Sequence, residues 1–383
     1  MTQAAVLDAP PQPTEAPPAR RAPRRTGGNT RHLSDFTELT KRAKAEGLMA
    51  RSHGYYITRM VIYPLLLGAL AWGSILLGDS WWQLALAFVV AIVMTQIAFL
   101  GHDAAHRQIF ASPKLNEWTS LVVINLFVGM GLGWWQMKHG KHHAAPNQAG
   151  RDPDVRRGTV AYTPEDVQSR PTAVQRWLSS HQGVWFFPIT TLAGLQLHVA
   201  GIQRLLSREK VDRRWTELAF ILIRHTTLIA FAFLVMSPAI AASFLAVEVL
   251  VFGFYLGMSF APNHIGMPMV PKEVRIDFLR RQVLMSRNIS GGRFVDWLLG
   301  GLNYQIEHHL FPSMSRPNLR KVAPMVREHC DRLGINYHQT SLGRSYVEVA
   351  RYINRVGRGN IDVWACPLAS SLRSGGTLAT ATA

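Results

Sequence analysis

Four stretches of this chain are long, apolar and nearly free of charge. Residues 60–78 and 81–100 contain no charged side chain, and only Asp79 and Ser80 stand between them. At about 1.5 Å per residue, each is long enough to cross a hydrocarbon core of ~30 Å. Residues 218–236 and 239–261 repeat the arrangement on either side of Ser237 and Pro238. A single such run is ordinarily a core helix. Two pairs with two-residue links predict four membrane-spanning helices arranged as two hairpins instead. Three residues able to carry charge near neutral pH interrupt them: Arg224, His225 and Glu248. Their cost in hydrocarbon puts the first two at the interface or against protein, and Glu248 toward the bundle interior.

Two further stretches are apolar but broken. Residues 121–135 are short and carry Asn125, and residues 184–206 are interrupted by Pro188, Gln196, His198 and Arg204. Both read as interfacial or re-entrant helices rather than complete spans. Residues 34–50 begin with a Ser-x-x-Thr helix start and continue as a basic amphipathic pattern. That pattern predicts a helix lying on the cytoplasmic membrane surface. Residues 1–30 are rich in Ala, Pro and Arg, and residues 368–383 in Ser, Gly, Thr and Ala. Both compositions predict disorder, leaving one folded domain over 31–367. The leading segment lacks the charged, then apolar, then small-residue order of a cleaved signal peptide.

Composition changes this picture only through its distribution. The chain has 383 residues, 48% hydrophobic, with a net charge of +17. Such a basic excess suggests a nucleic-acid partner, but no nucleic-acid-binding motif accompanies it, and none is expected to bind. Of 41 Lys and Arg residues, 10 precede residue 60, 14 lie between 101 and 217, and 16 follow residue 261. All but Arg224 therefore fall on one side of a four-span topology. The positive-inside bias makes that side the cytoplasm, with both termini in it. The two cysteines, Cys330 and Cys366, exclude a disulfide scaffold and need only be reduced thiols there.

The 15 histidines carry the chemistry. His102 and His106 form HDAAH just beyond the second span; His139, His142 and His143 form HGKHH. Gln305, His308 and His309 repeat the second spacing with glutamine in first place, and His264 follows the fourth span. Residues three or four apart share a helix face, so each group can aim at one point. One HxxxH pair is common on surface helices. Three such groups at the cytoplasmic ends of spans point to metal. Neutral imidazole suits Fe, Zn, Cu and Ni, and eight histidines with Gln305 exceed one ion's needs but fit two. Asp103, Asp152, Asp154, Asp296 and Glu307 are candidates for orienting the imidazoles. His32, His53, His329 and His338 read as solvated, and His181 and His198 as membrane-surface residues.

With HDAAH, HGKHH and QIEHHLFP in this order, the chain resembles the membrane fatty acid desaturases from about residue 34 to residue 355. The glutamine-led third box is similar to those of acyl-lipid and front-end desaturases, and of actinobacterial acyl-CoA desaturases. The resemblance implies an all-α integral membrane fold, with two hairpins under a helical cytoplasmic cap that holds a di-iron site in a bacterial cell membrane. Its ligands map onto His102, His106, His139, His142, His143, His264, His308 and His309, with Gln305 as a further candidate. Asp103, Asn147, Asp152, Asn263 and Glu307 take supporting positions, and Trp134 and Trp135 line the acyl substrate's tunnel with apolar residues of the spans and of 121–135.

The implied reaction places a cis double bond in a long-chain acyl-CoA or acyl-lipid, with two iron ions and dioxygen as co-substrate. Residues 1–59 lack the His-Pro-Gly-Gly haem motif of fused cytochrome b5 domains. Electrons from NADPH or NADH are thus expected through a separate ferredoxin, flavin and iron–sulfur reductase, or cytochrome b5-like partner. Arg280, Arg281, Arg287, Arg293 and Lys321 would suit an acidic partner or the phosphates of coenzyme A. A di-iron hydroxylase of lipids or alkanes is the alternative within enzymes, and a metal transporter or scaffold the alternative outside them.

Overall fold

The computed structural model describes residues 27–364, with side chains from Asp35 onward. The chain is built from helices. In order these are α1 (Gly27–Ala45), α2 (His53–Leu77), α3 (Gln83–Ala105), α4 (Pro113–Leu121, continuing as a π-helical turn Val122–Val128), α5 (Leu132–Ala144), α6 (Pro164–Gln168), α7 (Ala173–Ser180), α8 (Gln182–Thr190), α9 (Ala193–Leu206), α10 (Arg214–Val235), α11 (Pro238–His264), α12 (Phe278–Leu284), α13 (Gly292–Leu298), α14 (Gln305–Leu310), α15 (Arg316–Arg332) and α16 (Leu342–Gly357). The all-α expectation needs one correction. β1 (Asn288–Ser290) pairs in parallel with β2 (Gln339–Ser341), Ile289 opposite Thr340.

Among the described residues, the helices long and apolar enough to cross a membrane are α2, α3, α10 and α11. α3 and α11 form the inner pair, while α2 and α10 leave most of their apolar surface exposed. The links α2–α3 and α10–α11 touch each other, Ser237 N–H donating to Asp79 Oδ1 at 2.7 Å. Glu248 is buried and pairs with Arg224 at 3.2 Å, so the two costly charges between α10 and α11 satisfy each other. α3 does not stop with the uncharged run: it continues to Ala105 and carries His102 on the spanning helix itself.

Both broken apolar stretches bend. α4 with its π turn meets α5 at 114°, and α8 meets α9 at 64°. The first bend turns on Gly129 (φ +86°) and on Gly131, where a Cβ would stand 2.7 Å from Gly201 Cα on α9. Side chains from α9 and α10 hold this turn. Gly129 O accepts from His198 Nδ1 at 3.0 Å and lies 3.3 Å from His225 Nε2. Buried Glu217 accepts from Gly133 N–H (3.1 Å) and Asn125 Nδ2 (3.1 Å), placing a carboxylate at the positive start of α5. Glu217→Ala is expected to destabilise the protein by about 0.5–2 kcal/mol, read as a lowered Tm in detergent.

Three other expectations change. α1 begins at Gly27, inside the segment expected to be disordered; residues 1–26, Cys366 and 368–383 lie outside the described residues, as does the His32 side chain. The apolar face of α1 does not lie on a membrane. Leu39 and Ala43 are buried against Leu279, Val283 and Val326, so its amphipathic pattern serves a protein core made with α12 and α15. His329 is not solvated but buried on the inner face of α15, 2.7 Å from Arg332 Nη2.

Candidate metal centre

Eight histidines arrive from four places: α3 and the residue after it (His102, His106), α5 (His139, His142, His143), the end of α11 (His264) and α14 (His308, His309). They form two groups. His102, His106, His139 and His308 surround one point, and His142, His264 and His309 another. His143 joins the first, its Nε2 lying 3.0 Å from His139 Nε2 and 3.2 Å from His308 Nε2. Helical periodicity sorts them. The i,i+4 pairs His102/His106 and His139/His143 stay in the first group, and Gln305/His309 in the second. His142 and His308, each about 100° around its helix from a neighbour, reach the opposite group.

These contacts are not hydrogen bonds. His139 Nε2 lies 3.2 Å from His102 Nε2, 2.9 Å from His106 Nε2 and 3.0 Å from His143 Nε2. A neutral imidazole nitrogen either donates one proton or accepts, so it cannot satisfy three like atoms. Edges near 3 Å are what nitrogens about 2.1 Å from a shared cation make at right angles. In the second group His142 Nε2 is 3.2 Å from His264 Nε2, and buried His309 Nε2 has no hydrogen-bond partner. Gln305 Nε2 is 2.9 Å from His264 Nε2, while Asn263 Nδ2 donates to Gln305 Oε1 at 3.1 Å. The two ends of an amide are alike in shape, and turning it over puts an oxygen ligand in the same place. The donor set therefore fits two metal ions. Burial, then the neighbouring imidazoles, hold His139, His143, His308 and His309 well below the usual histidine range, so they stay neutral and available as ligands.

The outer contacts fix the rings. His142 Nδ1 is 3.0 Å from Asp152 Oδ2, which also accepts from Asn147 N–H at 2.8 Å. Burial lowers the His142 pKa, but Asp152 and then Asp154 outweigh it and raise it overall. Asn147 Nδ2 donates to His264 O at 3.0 Å, and Asp103 sits 3.5 Å from His102 Nδ1. Two anticipated carboxylates do other work. Glu307 accepts from Asn288 and Tyr337, and Asp296 from Asn303 and Arg320. Two orienting groups were not anticipated: Gln282 Oε1, 2.9 Å from His309 Nδ1, and Met285 O, 2.9 Å from His264 Nδ1. Asp152→Asn is expected to weaken metal retention by about 10–100-fold, read as metal per chain after graded chelation.

A cavity of about 340 Å³ opens onto His102, His139, His142, His264 and Gln305. Its far walls are apolar, including Ile124, Val128, Leu197 and Leu256. Trp135 lines it and stacks on His139 with ring centroids 4.4 Å apart. Trp134 does not line it; its ring lies under Lys138 instead. The expected basic docking face is also mostly consumed. Arg280 pairs with Asp35 and Asp277, Arg281 holds Ala144 O and Ile276 O, and buried Arg287 pairs with Glu348. Arg293 and Lys321 remain exposed.

The family profile described as "Fatty acid desaturase" matches residues 79–341, from the first interhelical link through all three histidine groups. The chain belongs to the fatty acid desaturase family. Among curated relatives, a "Delta(5) fatty acid desaturase" of Caenorhabditis elegans is 31% identical over 317 residues, covering 79% of this chain and 69% of the relative. "Fatty acid desaturase 3" of Bos taurus is 29% identical over 88% of this chain and 75% of its own length. An "Acyl-lipid (9-3)-desaturase" of Physcomitrium patens is 29% identical over 85% of this chain, which spans 63% of that protein's length. By their names these relatives are oxidoreductases.

Proposed function

We propose that this chain is an oxygen-dependent fatty acyl desaturase that places a cis double bond in a long acyl chain. The observation that carries this reading is a twofold imidazole cradle forming one wall of an apolar, acyl-sized cavity. Two iron ions held by His102, His106, His139, His143 and His308, and by His142, His264, His309 and Gln305, would supply the oxygen chemistry that breaking an unactivated C–H bond requires. The chain's own residues do the rest. Phe99, Leu256 and Phe260 bind the methylenes and exclude water, and Trp135 fixes the plane of His139. Asp152, Gln282 and Met285 O hold three imidazoles so that the acyl carbons meet a rigid wall.

The reading takes residues 31–367 as one catalytic unit, with α2/α3 and α10/α11 as transmembrane hairpins and the remaining helices as a cytoplasmic cap. The charge distribution supports that side. Electrons come from a separate protein. The histidines sit where α3 and α11 end, not halfway along them, which disfavours transport through a midplane site.

Expression in a host lacking desaturases tests the reading. The expected result is new unsaturated fatty esters, formed only with oxygen, their double bonds at one position. A metal-loaded, membrane-inserted protein that leaves the host's fatty acids saturated would refute it.

A further inference from the structure

A second cavity, of about 730 Å³, adjoins the first and shares Gly266, Met267 and Tyr352 with it. Its chemistry is different. Arg287, Arg351, Arg355 and Arg358 line it against one acid, Glu348. That carboxylate is already neutralised, 2.8 Å from Arg287 and 3.1 Å from Arg344. Arg351 and Arg355 fall at i and i+4 on α16 and Arg358, at i+7, follows its last residue, so the three share a face, while Val349, Ile353 and Val356 anchor the opposite face in a protein core. Arg358 Nε donates to Ser180 O at 3.3 Å. Among the described residues no hydrogen bond or ion pair occupies the guanidinium of Arg351 or Arg355.

We infer that this pocket binds the phosphate of the acyl carrier, as a phosphate-bearing thioester or a phospholipid headgroup, while the acyl chain enters the first cavity past Tyr352. The inference rests on the desaturase reading. Guanidinium forks recognise phosphate oxygens in pairs, and unpaired arginines on one rigid helix face are positioned to do so. The shared wall explains the placement: carrier and chain are joined, so a polar site must touch the apolar one. The positive-inside bias accounts for cationic residues on this face, but not for their lining a cavity that shares a wall with the one at the histidines.

The test is kinetic. The metal-loaded protein in neutral phosphatidylcholine nanodiscs is assayed with one acyl chain on three carriers: coenzyme A, phosphatidylglycerol and phosphate-free N-acetylcysteamine. Arg351→Ala/Arg355→Ala is expected to raise KM at least tenfold for whichever phosphate carrier the native protein uses, with kcat changed less than twofold. Turnover of the N-acetylcysteamine thioester should be unchanged. The carrier affected identifies the phosphate source. Lys41→Ala/Lys44→Ala removes equal charge from exposed positions of α1 outside the pocket and should change nothing. An unchanged KM, or an equal loss on the phosphate-free thioester, overturns the pocket. Calorimetric binding of coenzyme A and of a phosphatidylglycerol headgroup analogue needs no turnover. If either binds the native protein and not the variant while no alkene forms, the desaturase reading falls and the pocket stands; if neither binds and KM is unmoved, the pocket falls alone.

Discussion

Replacing His139 by alanine is expected to abolish double-bond formation while leaving the protein inserted. No other ligand position is so central: its Nε2 lies within 3.2 Å of the same atom on His102, His106 and His143. Its removal opens the first group on the side facing Trp135 and the cavity. The loss should exceed the ~10–100-fold typical of changes in outer hydrogen-bond partners. Metal content should fall by about half, because His142, His264 and His309 still enclose the second point. Product analysis and metal content per chain check the two halves of the prediction. Full metal with full activity would remove His139 from the ligand set.

The second large effect is on stability. Arg316, at the start of α15, is buried with Nη2 2.7 Å from Asp103 Oδ2 and 2.7 Å from Phe99 O. Its backbone N–H donates to the Tyr56 hydroxyl, which in turn donates to Gln108 Oε1 at 3.0 Å. α15 is thereby tied to α2 and α3 directly beside His102. Arg316→Ala leaves Asp103 buried without its cation. The expected cost is about 3–5 kcal/mol, the range for breaking one partner out of a buried pair. A markedly lowered Tm and early metal loss from the first group should appear together in a thermal scan with metal release monitored. An unchanged Tm would show that the pair does not hold α15 to α3.

Much of this was legible along the chain because two periodicities carry it. Apolar runs of membrane length marked α2, α3, α10 and α11, and the i,i+3 and i,i+4 histidine spacings marked residues that the fold brings to one place. The partners of those residues were harder to see. Gln282 and Met285 orient His309 and His264 from α12 and the turn after it, segments whose sequence has no ligand-like spacing. Glu307 was misplaced because it adjoins His308 in sequence. On a helix, adjacent residues diverge by about 100°, and its carboxylate goes to Asn288 and Tyr337. α1 looked like a membrane-surface helix because amphipathicity records that a face is buried, not what buries it. The same limit applies to arginine. Arg280, Arg281 and Arg287 are spent inside the fold, whereas Arg351 and Arg355, unmarked by any motif, line an open basic cavity.

The central claim is that the histidine cradle removes two hydrogens from adjacent methylenes of an acyl chain. The most direct measurement supplies the metal-loaded protein, a reductant system and oxygen with a chain fully deuterated at the reacting pair of carbons, and weighs the product. The account predicts an alkene that has lost one deuterium from each carbon and gained no oxygen. A product that has lost a single deuterium and gained a hydroxyl would contradict it.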